Sequence, residues 1–238
     1  MRLVTLIKNL LKIAKKKIVR DSVPIFSLIE ILEKNYPLNS PFSIILIGAH
    51  DGISHDNLYQ FLKQHNCKGI AVEPISSLFQ QLTINYAFAP GITLINKAVH
   101  PVLKVLPMYL PDPQKLKDLP DWANGIASVY SNHHQKSGIE DSFIIQEKVQ
   151  ADSLMNMIQK HYPEKKVDLL QIDTEGFDLE ILKQVNFSLL KPLIIRYEHA
   201  GLSVSDIKFS IKFLRSKGYY LYHDHIDIFG IRLTEVRL

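Results

Sequence analysis

One run of seventeen residues, 167–183 (VDLLQIDTEGFDLEILK), limits the folds open to this chain more than any other. Its first part, VDLLQI, reads as a buried strand. An acidic turn follows (Asp173, Thr174, Glu175, Gly176), and Phe177, Leu179, Ile181 and Leu182 then supply the apolar side of a helix. The turn sets Asp173 and Glu175 at the carboxyl end of a strand, the edge at which open α/β sheets bind ligands. Asp173 or Thr174 can also cap the helix, with Glu175 favourable near its N-terminus. Asp178 and Glu180 read as solvated helix positions.

The same alternation fills most of the chain. Residues 26–36 (FSLIEILEKNY) predict a helix ended by Pro37, and 43–48 (SIILIG) a strand covered on both faces. Helices over 56–65 and 76–88 flank a second buried strand, 69–73 (GIAVE), which Pro74 ends. Residues 92–99 (ITLINKAV) contain a third strand. A helix over about 152–161 precedes the acidic segment. Beyond it come a strand at 193–197, a helix at 203–217 and a closing hairpin from 219–223 and 226–231. This is the spacing of βαβ units, which implies a parallel sheet with helices on both faces.

Between about 100 and 150 the rhythm fails. Residues 105–110 and 143–149 read as strands, but the stretch between them is rich in proline, glycine and histidine. A connection this long inside a compact domain is usually functional. Trp122, Ser128 and Tyr130 are candidates for a lid over a cofactor or acceptor, and His133-His134 reads as exposed loop.

Charge is unevenly placed. Of 28 basic residues, seven lie within residues 1–20, where there is no acid, leaving 21 against 24 acidic residues in the remainder. A mildly acidic body argues against nucleic acid as a partner. In the tail, Leu3, Leu6, Ile7, Leu10, Leu11, Ala14 and Ile18 share one helical face, opposite Arg2, Lys8, Lys12, Lys15 and Lys16. Such a helix either lies on an anionic membrane surface or packs on the domain or a second subunit. Lysines interrupt its apolar run too soon for a membrane span. Cys67 is the sole cysteine, which excludes a disulfide framework and a cysteine zinc site and favours a reducing compartment such as the cytoplasm.

Two other strand ends complement the acidic turn. Gly48-Ala49-His50-Asp51-Gly52 follows the first buried strand, where glycines admit a ligand close to the backbone and the next helix offers N–H groups to an anion. Glu73 ends the second strand, near the ~20-residue interval at which nucleotide-binding folds place a ribose-binding carboxylate.

Taken in order, GAHDG, VEP with Asn85, INKAV, VDLLQIDTEGFDLEIL and RYEH resemble the FkbM family of S-adenosylmethionine-dependent methyltransferases, from about residue 43 to 199. The resemblance implies a Rossmann-like class I methyltransferase fold, a mostly parallel seven-stranded sheet with an antiparallel last strand. It divides the chain into a helical leader over 1–40 and a methyltransferase domain over 41–238, with a loop-rich insertion at about 100–150. Two positions depart from the family pattern: Leu46 stands where an acid is common, and Gln171 where lysine is frequent.

The activity implied is O-methylation of a hydroxyl on a sugar, glycan or other small molecule. Gly48, Ala49, His50, Asp51 and Gly52 are expected at the methionine end of S-adenosylmethionine and Glu73 at its ribose. Asn96 and Ala98 are expected near the adenine, with Ser128 joining from the insertion and Asp173 facing donor or acceptor. Asp173, Glu175, Glu198 and His199 are the catalytic candidates. Asp173, Glu198 and His199 are also the set that would hold a divalent ion, were one to orient a diol, although their spacing does not establish it. A homodimer is a further expectation. Of the rival readings, a dinucleotide oxidoreductase calls for a G-x-G-x-x-G turn that is missing here, whereas a non-catalytic cofactor-binding scaffold shares the fold.

Overall fold

The computed structural model describes residues 14–18, 26–54, 58–164, 166–224 and 226–238. Most of the basic helix expected over 1–20 therefore lies outside the described residues; residues 14–18 are helical. The strands of the main sheet are β1 (Pro41–Ile47), β2 (Asn66–Val72), β3 (Ile92–Ile95), β7 (Leu169–Ile172), β8 (Ile194–Glu198), β9 (Tyr220–Asp224) and β10 (Asp227–Ile231). They lie in the order β3-β2-β1-β7-β8-β10-β9, all parallel except β10, which is antiparallel to both neighbours. This order, mostly parallel with one antiparallel strand, is the sheet that the resemblance implied.

Strand alternation builds two apolar faces. Ile45, Ile47, Ile70, Val72, Leu170, Ile172, Ile195 and Tyr197 point to one. There they meet α4 (Leu154–His161), α5 (Asp178–Leu182) and α6 (Val204–Ser216). Phe42, Ile44, Leu46, Ala71, Leu169, Ile194, Tyr222 and Phe229 point to the other, against α1 (Leu28–Asn35), α2 (Leu58–Lys63) and α3 (Ser76–Asn85). Three helices thus cover each face, which is why the central strands are apolar throughout rather than alternating. Buried Asp168 fixes the register at the start of β7, accepting from the Ser43 N–H (2.7 Å) and hydroxyl (2.6 Å) on β1.

Residues 92–99 do not form one strand. The chain folds back at Asn96-Lys97, where the Lys97 N–H donates to the Ile95 carbonyl (3.1 Å), and then enters a second sheet. That sheet has the order β4-β6-β5, from β4 (Ala98–Val99), β5 (Val105–Pro111) and β6 (Ile144–Asp152). The irregular stretch between β5 and β6 folds as four short 3-10 turns, partly around Ala123, Ile126 and Ile139.

Candidate active site

The register levels the strand ends. Ile95, Val72, Ile47, Ile172 and Tyr197 pair across the sheet in one row. Asn96, Glu73, Gly48, Asp173 and Glu198 are each the next residue. The strand order reverses between β1 and β7, and a cavity opens at that switch point, where α/β sheets bind ligands. The space it bounds, open solvent at its mouth included, is about 930 Å³.

Seven candidate residues meet on its wall: Gly48, Ala49, His50, Glu73, Ala98, Asp173 and Glu175. Asp51, Gly52, Asn96, Ser128, Glu198 and His199 do not line it. Asp51 is spent on its own turn, accepting from the Ile53 and Ser54 N–H groups and the Ser54 hydroxyl. Burial opposes its charge, but those bonds outweigh burial and bring its pKa down to about 2. The exposed Asn96 clamps the chain after β2 by donating to the Glu73 and Pro74 carbonyls. Ser128 donates to the Glu175 carbonyl (2.8 Å). His199 is buried behind the wall, with its N–H on Ile226.

The glycine turn differs from its sequence reading. Gly48 has φ +79°, and a Cβ there would lie 1.7 Å from the Asp173 carbonyl oxygen; a Cβ on Gly52 would strike Tyr86 and Leu82. Protein atoms occupy the space both glycines leave. Three N–H groups of the turn are bonded within the protein. The Gly48 and Ala49 N–H groups donate to the Val72 carbonyl, and His50 N–H donates to Glu73 Oε2 (2.9 Å).

Glu73 is almost fully buried, and its other oxygen accepts from Ile75 N–H (2.8 Å). Burial lifts its pKa to about 7 against the pull of those two bonds. Asp173 faces the cavity, where water reaches it, while protein surrounds it on its other sides. Desolvation, then the charges of Asp178, Glu175 and Asp227, hold its pKa well above the usual carboxylate range, despite Arg196 nearby. Glu198 is pushed up to about 10, by burial first and then by Glu175, Asp173 and Asp178. Among the described residues, no group of three or more His, Cys, Asp or Glu is arranged to hold a metal ion.

Three side chains read as solvent-facing are inside. Asp178 is 0% exposed; it accepts from the Thr174 hydroxyl (3.3 Å) and Gly176 N–H (3.2 Å), closing the acidic turn. Its pKa rises to about 7 through burial. His133 and His134 are 4% and 3% exposed. His134 pairs with Asp141 (Nε2–Oδ1 2.8 Å). His133 pairs with Glu175 (Nε2–Oε2 2.8 Å), and its ring lies against the close approach of Gly176 to Gly201. The insertion reaches the cavity with Gly125, Ala127 and Val129, while Trp122 and Tyr130 are largely exposed. A carboxylate four residues after Thr174 was a readable signal for Asp178; nothing local marks His133.

The sequence profile of the FkbM methyltransferase domain matches residues 47–221. The chain belongs to the FkbM methyltransferase family. A relative, methyltransferase sdnD of Sordaria araneosa, is 24% identical over 182 residues, which cover 69% of this chain and 70% of the relative. Among solved structures, methyltransferase FkbM from Methylobacillus flagellatus KT aligns with a TM-score of 0.47 and 15% identity, over 80% of this chain and 43% of that one. This chain thus spans less than half of that protein's length. Precorrin-6y C5,15-methyltransferase from Geobacter metallireducens GS-15 aligns with a TM-score of 0.40 and 14% identity, over 89% and 93% of the two chains. In this FkbM domain Gln171 lines the cavity and accepts from Arg196 Nη1 (3.1 Å), while Arg196 Nε and Nη2 donate to Asp227 (3.0 and 2.8 Å). Leu46 is buried in the core.

Proposed function

We propose that this protein transfers the methyl group of S-adenosylmethionine to a hydroxyl of a sugar, glycan or other small acceptor. The observation that carries the reading is the cavity at the β1/β7 switch, whose wall combines Glu73, Asp173 and Glu175. Desolvation raises Asp173 first and its negative neighbours second, and those neighbours suit a cationic ligand at the open mouth of the cavity.

When bound, S-adenosylmethionine supplies an activated methyl group on a sulfonium. In our reading Gly48, Ala49 and His50 flank its methionine end, Glu73 takes the ribose and Ala98 lies toward the adenine. Each Glu73 oxygen already accepts one N–H and keeps a second lone pair for a ribose hydroxyl. Asp173 balances positive charge. Glu175 then holds the acceptor hydroxyl and takes its proton as transfer proceeds, since that hydroxyl is far too weak an acid to lose it beforehand. His133 donates to Glu175 through Nε2, because an ionised carboxylate can only accept; that bond orients the base. Glu198 and His199, away from the wall, support the acidic turn rather than touch the acceptor.

The two-part division at residue 40, a homodimer and a cytoplasmic setting remain part of this proposal. No helix among the described residues is long and apolar enough to cross a membrane, and the single cysteine, Cys67, is buried and reduced.

Calorimetry with S-adenosylmethionine, followed by a panel of polyhydroxylated acceptors assayed for S-adenosylhomocysteine release, tests the reading. Micromolar binding and acceptor-dependent turnover are expected. Lack of binding at high micromolar cofactor would sink it; binding without turnover on any hydroxyl acceptor would favour the scaffold reading.

A further inference from the structure

The described part of the leader reveals a second surface, whose lining shares no residue with that of the cavity. Residues 14–18 are helical and lie against α6. Ile18 packs on the core beneath, and Lys15 Nζ donates to the Ala200 carbonyl (2.9 Å). The sequence left two readings of this tail, membrane contact or packing on protein. The apolar side of this piece is turned inward, so it is not free to insert into a bilayer. Its outward side carries Lys16 and Lys17, both exposed.

A groove runs between residues 14–18 and α6. Ala14, Ile18 and Ile211 supply its apolar lining, while Lys17, Lys208, Lys212 and Arg215 supply four cations. No carboxylate is among the described residues that line it. The pattern continues over the open face of α6. At 100° per residue the exposed positions Ser205, Lys208, Phe209, Lys212, Arg215 and Ser216 fall in one arc, again without an acid. Asp206, the one acid of α6, is held at the helix start by the Ser203 hydroxyl (2.6 Å). Beside the lysines, Phe209 is 47% exposed.

Lys17 of the leader thus lines the same groove as Lys208, Lys212 and Arg215 of α6, although like charges repel. An anionic occupant offsets that repulsion. We propose that this face, centred on Lys17, Lys208 and Lys212, docks the protein on the anionic phospholipid headgroups of a membrane surface. Lysines beside one exposed aromatic ring match the headgroup boundary, where charge attraction and shallow apolar contact act together. The mildly acidic body around the patch disfavours nucleic acid, whose backbone would track a longer basic stripe. Contact is at headgroup depth and electrostatic, so it weakens with salt.

Flotation of the full chain with vesicles decides this. One set contains phosphatidylcholine with 30% phosphatidylserine (~30 mol%, an anionic surface of the kind that attracts basic segments), the other phosphatidylcholine alone. Wild type should float with the first set only, at least tenfold more weakly once salt is raised from about 50 to about 300 mM. Lys208→Glu/Lys212→Glu should lose at least tenfold in binding, with an unchanged thermal melt showing that it is folded. Equal flotation with both vesicle types, or an undiminished double variant, would overturn the proposal. So would release by inorganic phosphate but not by chloride at equal ionic strength, or equal affinity for duplex DNA. The melt and the flotation need no bound cofactor, so the result stands whether or not the methyltransferase reading does.

Discussion

Nε2 of His133 lies 2.8 Å from Oε2 of Glu175, a contact between the insertion and the acidic turn across 42 residues of chain. Ser128 binds the carbonyl of the same glutamate, and Lys136 Nζ donates to the Gly201 carbonyl (2.8 Å). The insertion thus grips both loops that follow β7 and β8. Glu175 itself is in the left-handed region at φ +52°, a conformation that needs such support.

His133→Ala removes a buried ring and the partner of Glu175. It should cost about 2–3 kcal/mol in urea unfolding, by lost packing and a lost charged hydrogen bond. Turnover should fall at least tenfold while S-adenosylmethionine affinity stays within about twofold, a split expected of a group that orients a base. Equal losses in cofactor affinity and turnover would show that His133 does no more than hold the fold.

Gly48→Ala and Gly138→Ala form a matched pair. Both glycines have positive φ, +79° and +84°, but a Cβ at Gly48 meets the Asp173 carbonyl at 1.7 Å whereas Gly138 has nothing within 4 Å. Gly138→Ala should cost only the backbone strain, about 1 kcal/mol. Gly48→Ala must force β1 and β7 apart and should cost several times more, read as urea midpoint or as loss of soluble protein. Similar midpoints would show that the turn relaxes freely.

Stability without cofactor should depend on pH. Glu73 and Asp178 both sit near 7, raised from ordinary carboxylate values by burial. Folding raises their proton affinity, so the folded state holds more protons than the unfolded one. Their contribution is complete below about pH 4 and is lost as pH rises through about 7. For Glu73 alone this is about 3 kcal/mol, at ~1.4 kcal/mol per unit. Glu198, raised to about 10, adds to the same loss; urea unfolding at pH 5 and pH 8 measures the sum, and a flat profile would mean that these carboxyls ionise freely in the fold.

Cofactor binding should release protons. Desolvation first, then the charges of Asp178, Glu175 and Asp227, raise the pKa of Asp173, and a sulfonium favours the ionised form. Affinity should therefore rise with pH. Calorimetric heats in phosphate and Tris should differ by the buffers' ionisation enthalpies; identical heats would remove Asp173 from the cofactor's surroundings.

The strand–turn–helix units were legible because each is written in consecutive residues. A strand covered on both faces must be apolar throughout, so SIILI and LLQI declare themselves, and the hairpin of β9 and β10 follows from its spacing. The row of Gly48, Glu73 and Asp173 at the strand ends came with them. Residues 92–99 read as one element because nothing in their composition marks the fold-back at Lys97; only pairing with β2 on one side and β6 on the other divides them.

What the sequence alone determined is the sheet, its edge and the carboxylates placed there, all properties of local periodicity. Tertiary structure decided which of those groups face the cavity, and that Asp178 and His133 lie inside rather than in water. The reason is that burial belongs to pairs of surfaces. A polar residue in a turn or loop carries no mark of whether another segment will cover it, and here the covering segment comes from elsewhere in the chain. The same holds for the tail, whose Lys17 joins Lys208, Lys212 and Arg215 only because residues 14–18 lie against α6.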